Sequence, residues 1–342
     1  MLRHSAPPAR RRLCDPPDSL HFRSNDDRRP GRSPSDREPL IDADILRVPV
    51  GPGALHVERY GHGGRPILLL HGFGTCAFLW RQVGPALAIA GYTAYAVDLL
   101  GHGESDRPFD APMTVEAQAL YLDRALTALR IARAALAGVD LGATVALRLA
   151  ADRPERVERI ALINPLAYES IPAEDVRTLQ RNTARFALRI SRGILGAAPL
   201  LAPLLEGSVA DPARMPMRLQ ARYLAPFVGR EGVAHLLTLT RSVRSEDFEA
   251  IPLEAVRAPV LVIRGELDRW VDGDVAKRLV IALLPHARLV ELPGVARLVP
   301  EDDPERLVEL LVDLAPERWG EAAASTGTAV SAYYVGAEAA GG

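Results

Sequence analysis

Short, continuous apolar runs bounded by glycine and aspartate recur along the chain at Ile67 to Leu70, Ala94 to Val97, Ala134 to Val139, Ile160 to Ile163, Val260 to Ile263 and Arg288 to Leu292. Between most of them lie segments with the spacing of an amphipathic helix, namely Val115 to Arg130, Ala143 to Ala151, Val275 to Leu284 and Pro304 to Leu314. A strand that is apolar at every position is covered on both faces. The alternation therefore predicts an α/β fold, a mostly parallel central sheet with helices on both sides. From Pro165 to Pro259 the alternation stops, and the pattern is mostly helical with breaks at Gly193, Pro199, Pro203, Pro212 and Pro216. This predicts an inserted helical cap over residues 165–258, with the core formed by 41–164 and 259–318.

The two ends carry no such period. Residues 1–40 contain nine Arg and seven Pro and bury too little apolar surface to order themselves, so they are expected to form a disordered tail. An Arg-rich start can mimic an export signal, but no apolar stretch of the required length follows it, which argues against export. The Ala/Gly-rich end, 319–342, is expected to be flexible.

Composition narrows the function classes. Hydrophobic residues at 48% and charged ones at 25% fit a soluble protein with a substantial core. A formal net charge of -2 supplies no field to gather nucleic acid or an anionic membrane. The longest apolar stretch, Ile194 to Leu205, is broken by two prolines and falls short of the roughly 20 residues that span a bilayer. With only Cys14 and Cys76, no disulfide framework is expected, and the cytoplasm is the default compartment. No His/Cys cluster and no phosphate-cradling glycine motif occurs, so neither a metal nor another cofactor is expected. The expected partner is a hydrophobic small molecule.

The sharpest local motif is Ala137-Gly138-Val139-Asp140-Leu141-Gly142-Ala143, which ends an apolar run and opens a helical one. A strained turn that presents one side chain at the top of a sheet tolerates only small residues two positions to either side, and Gly138 and Gly142 meet that demand. Read alone, the motif fits equally well an Asp140 that merely caps the following helix. Two further segments follow strands in the order of a hydrolase: Leu70-His71-Gly72-Phe73-Gly74, and Asp98-Leu99-Leu100-Gly101-His102-Gly103-Glu104-Ser105-Asp106-Arg107-Pro108.

With these three motifs the sequence resembles the α/β-hydrolase superfamily over roughly Leu55 to Leu314. Its aspartate at the elbow makes it most similar to the epoxide hydrolase and haloalkane dehalogenase branch. The resemblance implies that Asp140 attacks an electrophilic carbon while the backbone N–H groups of Phe73 and Leu141 form an oxyanion hole. It also implies that Asp268, in Gly265-Glu266-Leu267-Asp268, is the second carboxylate, with Glu266 less well placed. His71 and His102 match positions that support loops.

The pattern fails at the base. The family places a histidine in a loop after the last strand, and here Leu292-Pro293-Gly294-Val295-Ala296-Arg297-Leu298-Val299-Pro300 puts Arg297 in its place. His286 is the only other histidine after the cap, and it precedes the final strand. Arginine stays protonated and cannot take a proton from water. Arg297 is therefore expected to pair with Asp268, Asp140 or both, or to bind an anionic or carbonyl group of a ligand; a position turned to solvent is the plain alternative. Leu141 replaces the tryptophan usual in dehalogenases, which disfavours dehalogenation. Tyr168, Tyr223, His235 and Trp80 are candidate substrate-binding residues, the tyrosines as proton donors and His235 as a displaced base, although packing roles fit each of them as well. Three functions follow: a non-hydrolytic enzyme (addition, cyclisation, ring opening or elimination, as in natural-product assembly), an epoxide-hydrolase-like enzyme with a displaced base, or a non-catalytic ligand-binding protein.

Overall fold

The computed structural model describes residues 42–181 and 198–314. The expected disordered tail and flexible C-terminal end lie outside the described residues, as does the part of the expected cap from 182 to 197. Eight strands, β1 (Asp44–Pro49), β2 (Ala54–Tyr60), β3 (Arg65–Leu70), β4 (Tyr92–Val97), β5 (Ala134–Val139), β6 (Val157–Ile163), β7 (Val260–Gly265) and β8 (Ala287–Leu292), form one sheet in the order β1-β2-β4-β3-β5-β6-β7-β8. β1 and β2 are antiparallel to their neighbours, and every pair from β4-β3 onward is parallel. Every residue of β5 is buried, as a strand covered on both faces requires.

The six strands read from sequence are all present, each within a few residues of its expected bounds. β1 and β2 were not read. Both are antiparallel strands at one edge of the sheet, β1 mostly exposed and β2 mixing buried with half-buried positions, so neither contains the continuous apolar run that marks the others.

The crossovers carry α1 (Val83–Ile89), α2 (Val115–Ala128) and α3 (Leu141–Asp152). Between β6 and β7 an insertion holds α4 (Glu174–Gln180), α5 (Ala198–Glu206), α6 (Met217–Leu224), α7 (Gly229–Ser242) and α8 (Ser245–Glu249). After β7 come α9 (Gly273–Ala282), α10 (Val299–Asp302) and α11 (Pro304–Asp313). Capping follows local chemistry: Thr114, Asp272 and Asp303 each accept a hydrogen bond from a first-turn N–H of α2, α9 and α11.

The arrangement gathers function at one edge. Because β3 to β8 run in the same direction, the loops after them, bearing Phe73, Asp98, Asp140, Asn164, Asp268 and Arg297, all emerge at the carboxyl ends of the strands, where open α/β sheets bind their ligands. His286 precedes β8 and so sits at the opposite edge. Among the described residues no helix is long and apolar enough to cross a membrane.

Candidate active site

Asp140 occupies the turn between β5 and α3 with φ 56° and ψ -117°, a conformation that an L-residue adopts only when its surroundings impose it. The glycines around it are sterically required. A Cβ on Gly138 would lie 2.4 Å from the backbone of Gly142, and one on Gly142 would lie 2.5 Å from the His71 carbonyl oxygen. A Cβ on Gly72 would meet the Asp140 carboxylate at 2.7 Å. The turn is a strained elbow and Asp140 is not its helix cap, since the Asp140 side chain makes no capping hydrogen bond to α3. Its Oδ2 instead accepts from the Phe73 N–H at 3.0 Å. Leu141, the other expected oxyanion donor, is the first residue of α3, where a backbone N–H has no intrahelical partner.

Arg297 is the centre of the site. Its guanidinium donates from Nη2 to Asp140 Oδ2 at 2.6 Å and from Nη1 to Asp175 Oδ2 at 2.8 Å. The guanidinium carbon also lies 4.8 Å from the centroid of the Trp270 ring. Arg297, Asp140 and Asp175 are 3%, 1% and 7% exposed, so the cluster is a buried ion triad. Burial opposes the charge on Arg297, but Asp140, Asp175 and Asp268 together hold it more firmly protonated than a free guanidinium. The solvent-facing alternative for Arg297 is thereby excluded.

The carboxylates are less well served. Burial pushes Asp140 up to about 6, with Arg297 opposing the rise and Asp175 adding to it. Burial also raises Asp268, against the Trp270 N–H and the more distant Arg297 charge. Asp268 Oδ1 accepts from the Trp270 N–H at 2.9 Å, so the expected direct pair with Arg297 is not formed and Asp175 takes that place. One oxygen of each acid, Asp140 Oδ1 and Asp268 Oδ2, is buried without a hydrogen-bond partner among the described residues. Asp175 was not singled out from sequence because an acid in the first turn of a helix, beside Glu174, reads as an ordinary response to the helix dipole.

The surrounding loops are fixed by buried polar groups. Leu99 N–H donates to His71 Nε2 at 3.1 Å, which leaves Nδ1 as the protonated nitrogen facing the Gly72 carbonyl at 2.8 Å. His71 therefore joins the oxyanion loop to the loop after β4. His102 Nδ1 faces the Leu100 carbonyl at 3.3 Å. Burial lowers the basicity of both imidazoles. Asn164, fully buried at the end of β6, donates to the carbonyls of Ala296 and Arg297 at 3.0 Å each and accepts from Gly265 N–H, tying the Arg297 loop to the strand that carries Asp268.

Over the triad lies a cavity lined by Phe73, Asp175, Arg297 and Leu298 from one side and by Leu201, Leu204, Leu205 and Ser208 of the insertion from the other. It offers about 20 Å³ to the centre of a water molecule, enough for one water. The four other sequence candidates do not line it. Tyr168 packs on Phe248 with ring centroids 4.7 Å apart and lies under the Arg278 guanidinium. Tyr223 donates its hydroxyl to Glu301, which Arg81 holds in a bidentate pair at 2.6 and 2.8 Å. His235 directs Nε2 at the Gly101 carbonyl, so that nitrogen is not offered to Asp140 or to a water beside it. Trp80 is fully buried in the core. In each case the physical reason is the same: the polar end or ring is already engaged, or enclosed, elsewhere.

The elevated carboxyl of Asp140 has a stability consequence. In the folded state it binds its proton more tightly than an unfolded aspartate, so its contribution disfavours folding above about pH 6 and that penalty fades as the pH falls toward about 4. A shift from the usual value of 3.8 to about 6 corresponds to about 3 kcal/mol. The urea stability of wild type relative to Asp140→Asn should therefore fall as pH rises from about 4 to about 6. A difference that stays flat across this window would show that Asp140 titrates normally.

Comparison with known proteins agrees with this geometry. The family model described as alpha/beta hydrolase fold matches residues 65–304. An uncharacterized hydrolase of Bacillus subtilis, YugF, is 30% identical over 272 residues, 79% of this chain and 97% of that protein. A haloalkane dehalogenase of Mycobacterium marinum is 29% identical over 276 residues, 75% of this chain and 86% of its own. Among solved structures, an alpha/beta hydrolase fold protein from Burkholderia ambifaria superimposes with a TM-score of 0.70 at 25% identity, covering 80% of this chain and 98% of that one. With the strained turn after β5 and the sheet order in place, and a family model covering most of the chain, the protein belongs to the α/β-hydrolase fold family.

Proposed function

We propose that the protein is an α/β-hydrolase-family enzyme that acts on an uncharged, hydrophobic small molecule without hydrolysing it, using Asp140 as a proton-transferring carboxyl and not as one end of a hydrolytic triad. The observation that carries this reading is the 2.6 Å contact of Arg297 with Asp140, because the seat from which a base would activate water holds a group that cannot accept a proton. None of the six histidines among the described residues rescues the base: His71, His102 and His235 face backbone partners, His286 is at the far edge of the sheet, and neither His56 nor His62 bonds a member of the site.

Asp140 suits the alternative chemistry. Its Oδ2 is fixed by Phe73 and Arg297, while Oδ1 has no partner and the carboxyl titrates at about 6, close to the pH at which a general acid–base works best. In an isomerisation, Oδ1 takes a proton from one substrate atom and returns it to another; in an elimination it removes the proton as the leaving group departs. The charge balance supports an uncharged substrate, since the one positive charge of the guanidinium already faces the carboxylates of Asp140 and Asp175. The leucines of α5 supply the apolar lining.

The 1% exposure of Asp140 and the one-water cavity favour a second reading, a ligand-binding protein that has kept the pocket without the reaction. One experiment separates the readings. Wild type and Asp140→Asn are incubated with hydrophobic epoxides, esters and enolisable ketones in water carrying ¹⁸O and deuterium, and both small molecules and intact protein mass are analysed. The expected result is solvent deuterium in the substrate that depends on Asp140, with no ¹⁸O-labelled diol or acid. Labelled diol or acid from wild type alone would overturn the non-hydrolytic reading, and saturable binding without exchange would favour the second.

A further inference from the structure

The loop that presents Arg297 is gripped from two sides by groups of different origin. From the core, Asn164 holds the Ala296 and Arg297 carbonyls at 3.0 Å each. From the insertion, the turn after α5 reaches the same loop by two routes. Leu298 N–H donates directly to the Ser208 carbonyl at 2.9 Å. The Asp302 carboxylate accepts from the Ala296 N–H at 2.8 Å and, through both oxygens, from the Ala210 N–H at 3.0 Å. The residues on either side of Arg297 are thus linked to the segment Ser208 to Ala210, Leu298 directly and Ala296 through Asp302, and among the described residues Asp302 is the one side chain that bonds both segments.

That segment is also the end of the wall of the cavity. Leu201, Leu204, Leu205 and Ser208 share with Arg297 the wall of a space for one water, so a shift of α5 and the turn behind it is one way to admit a larger ligand. A displacement of the turn pulls on Leu298 directly and on Ala296 through Asp302. We infer that Asp302 is a positioning residue that couples the place of the α5 turn to the grip of Arg297 on Asp140, so that admitting a ligand loosens the guanidinium from the carboxylate. The inference rests on the Arg297–Asp140 pair and not on the chemistry proposed for it, so it stands or falls separately.

Asp302 is 6% exposed, and among the described residues no cation bonds its carboxylate: Arg214 donates to its backbone carbonyl at 2.6 Å, and Glu301 beside it is taken up by Arg81 and Tyr223. Its two oxygens are satisfied by backbone N–H groups alone, an arrangement that fixes two chain segments relative to each other.

The test reads Asp140 itself. Protein labelled with ¹³C at the aspartate carboxyls is titrated by NMR, with the Asp140 resonance identified by its absence in Asp140→Asn. The charged groups facing Asp140 are Arg297, Asp175 and, farther off, Asp268, and an adjacent guanidinium ordinarily lowers a carboxyl by about one to three units. Asp302→Ala should raise the Asp140 midpoint by about one unit, Asp302→Asn by less, and neither should move it further in an Arg297→Met background. Should Asp302→Ala fail to fold, the Asp302→Asn comparison carries the test. Tyr223→Phe cuts a different tie between the insertion and the core, the one to Glu301, and should leave the midpoint in place. An unchanged midpoint in both Asp302 variants, or an equal shift in Tyr223→Phe, overturns the inference.

Discussion

Arg297→Met is expected to lower the stability of the protein at pH 7 by about 3–5 kcal/mol, the cost of leaving buried charges without their partner. The substitution keeps most of the side-chain volume, so the loss is electrostatic and not a cavity effect. Asp140 and Asp175, both more than nine-tenths buried, would face each other with no cation between them. Two features of the measurement separate this cause from general damage. The loss should shrink as pH falls toward about 6, because Asp140 without the guanidinium binds its proton more tightly than at the value of about 6 it has beside Arg297, and so takes one up in place of its lost partner. In an Asp140→Asn, Asp175→Asn background the same Arg297→Met change should cost little, since exchanging a complete buried ion cluster for neutral groups is often close to neutral. Equal losses in both backgrounds would mean that the triad contributes nothing specific.

The buried triad also explains which parts of the site could be read from sequence. The elbow was legible because its two small residues bracket Asp140 within five positions: Gly138 is required by a 2.4 Å approach to Gly142 and Gly142 by a 2.5 Å approach to the distant His71 carbonyl, and together the glycines leave a local mark. Asp268 and Arg297 were legible by their order along the chain relative to the strands. Asp175, Asn164, Trp270 and Asp302 were not, because each acts through a partner far away in sequence, Asp175 on Arg297 across 122 residues and Asn164 on the same loop across 133. No local pattern marks a residue whose only distinction is where its partner lies. The fold divides in the same way. Fully buried parallel strands announce themselves by continuous apolar runs, whereas β1 and β2, less deeply buried, are antiparallel additions whose pairing is set by the sheet they join. Tyr223 shows the limit of chemistry read from residue type alone. A tyrosine in the insertion resembles a proton donor, but its hydroxyl completes a buried cluster with Glu301 and Arg81.

The second large effect is a gain. Arg297→His should give a protein that hydrolyses an alkyl ester formed on Asp140, about 10²–10⁴-fold faster than wild type, the usual range for a positioned general base. The rest of the apparatus is in place. Asp268 keeps one buried oxygen, Oδ2, without a partner, the vacancy that an imidazole N–H at position 297 would fill, leaving the other ring nitrogen to take a proton from water. Asp140 keeps the Phe73 N–H, and a side chain smaller than arginine widens the cavity that Arg297 now walls. The measurement is turnover of a hydrophobic epoxide panel in ¹⁸O-water, with label appearing first in the protein carboxyl and then in the diol. Asp140→Asn in the Arg297→His background should abolish it, and Asp268→Asn should reduce it strongly by removing the group that orients the imidazole. Arg297→Gln is the control: it vacates the same space and breaks the same ion pair but supplies no base, so it should remain inactive. If glutamine rescued hydrolysis as well as histidine, the block in the wild-type protein would be the bulk or charge of Arg297 and not the missing base, and the non-hydrolytic assignment would lose its main support. Rescue by histidine alone would mean that this site differs from a hydrolytic one by a single proton acceptor.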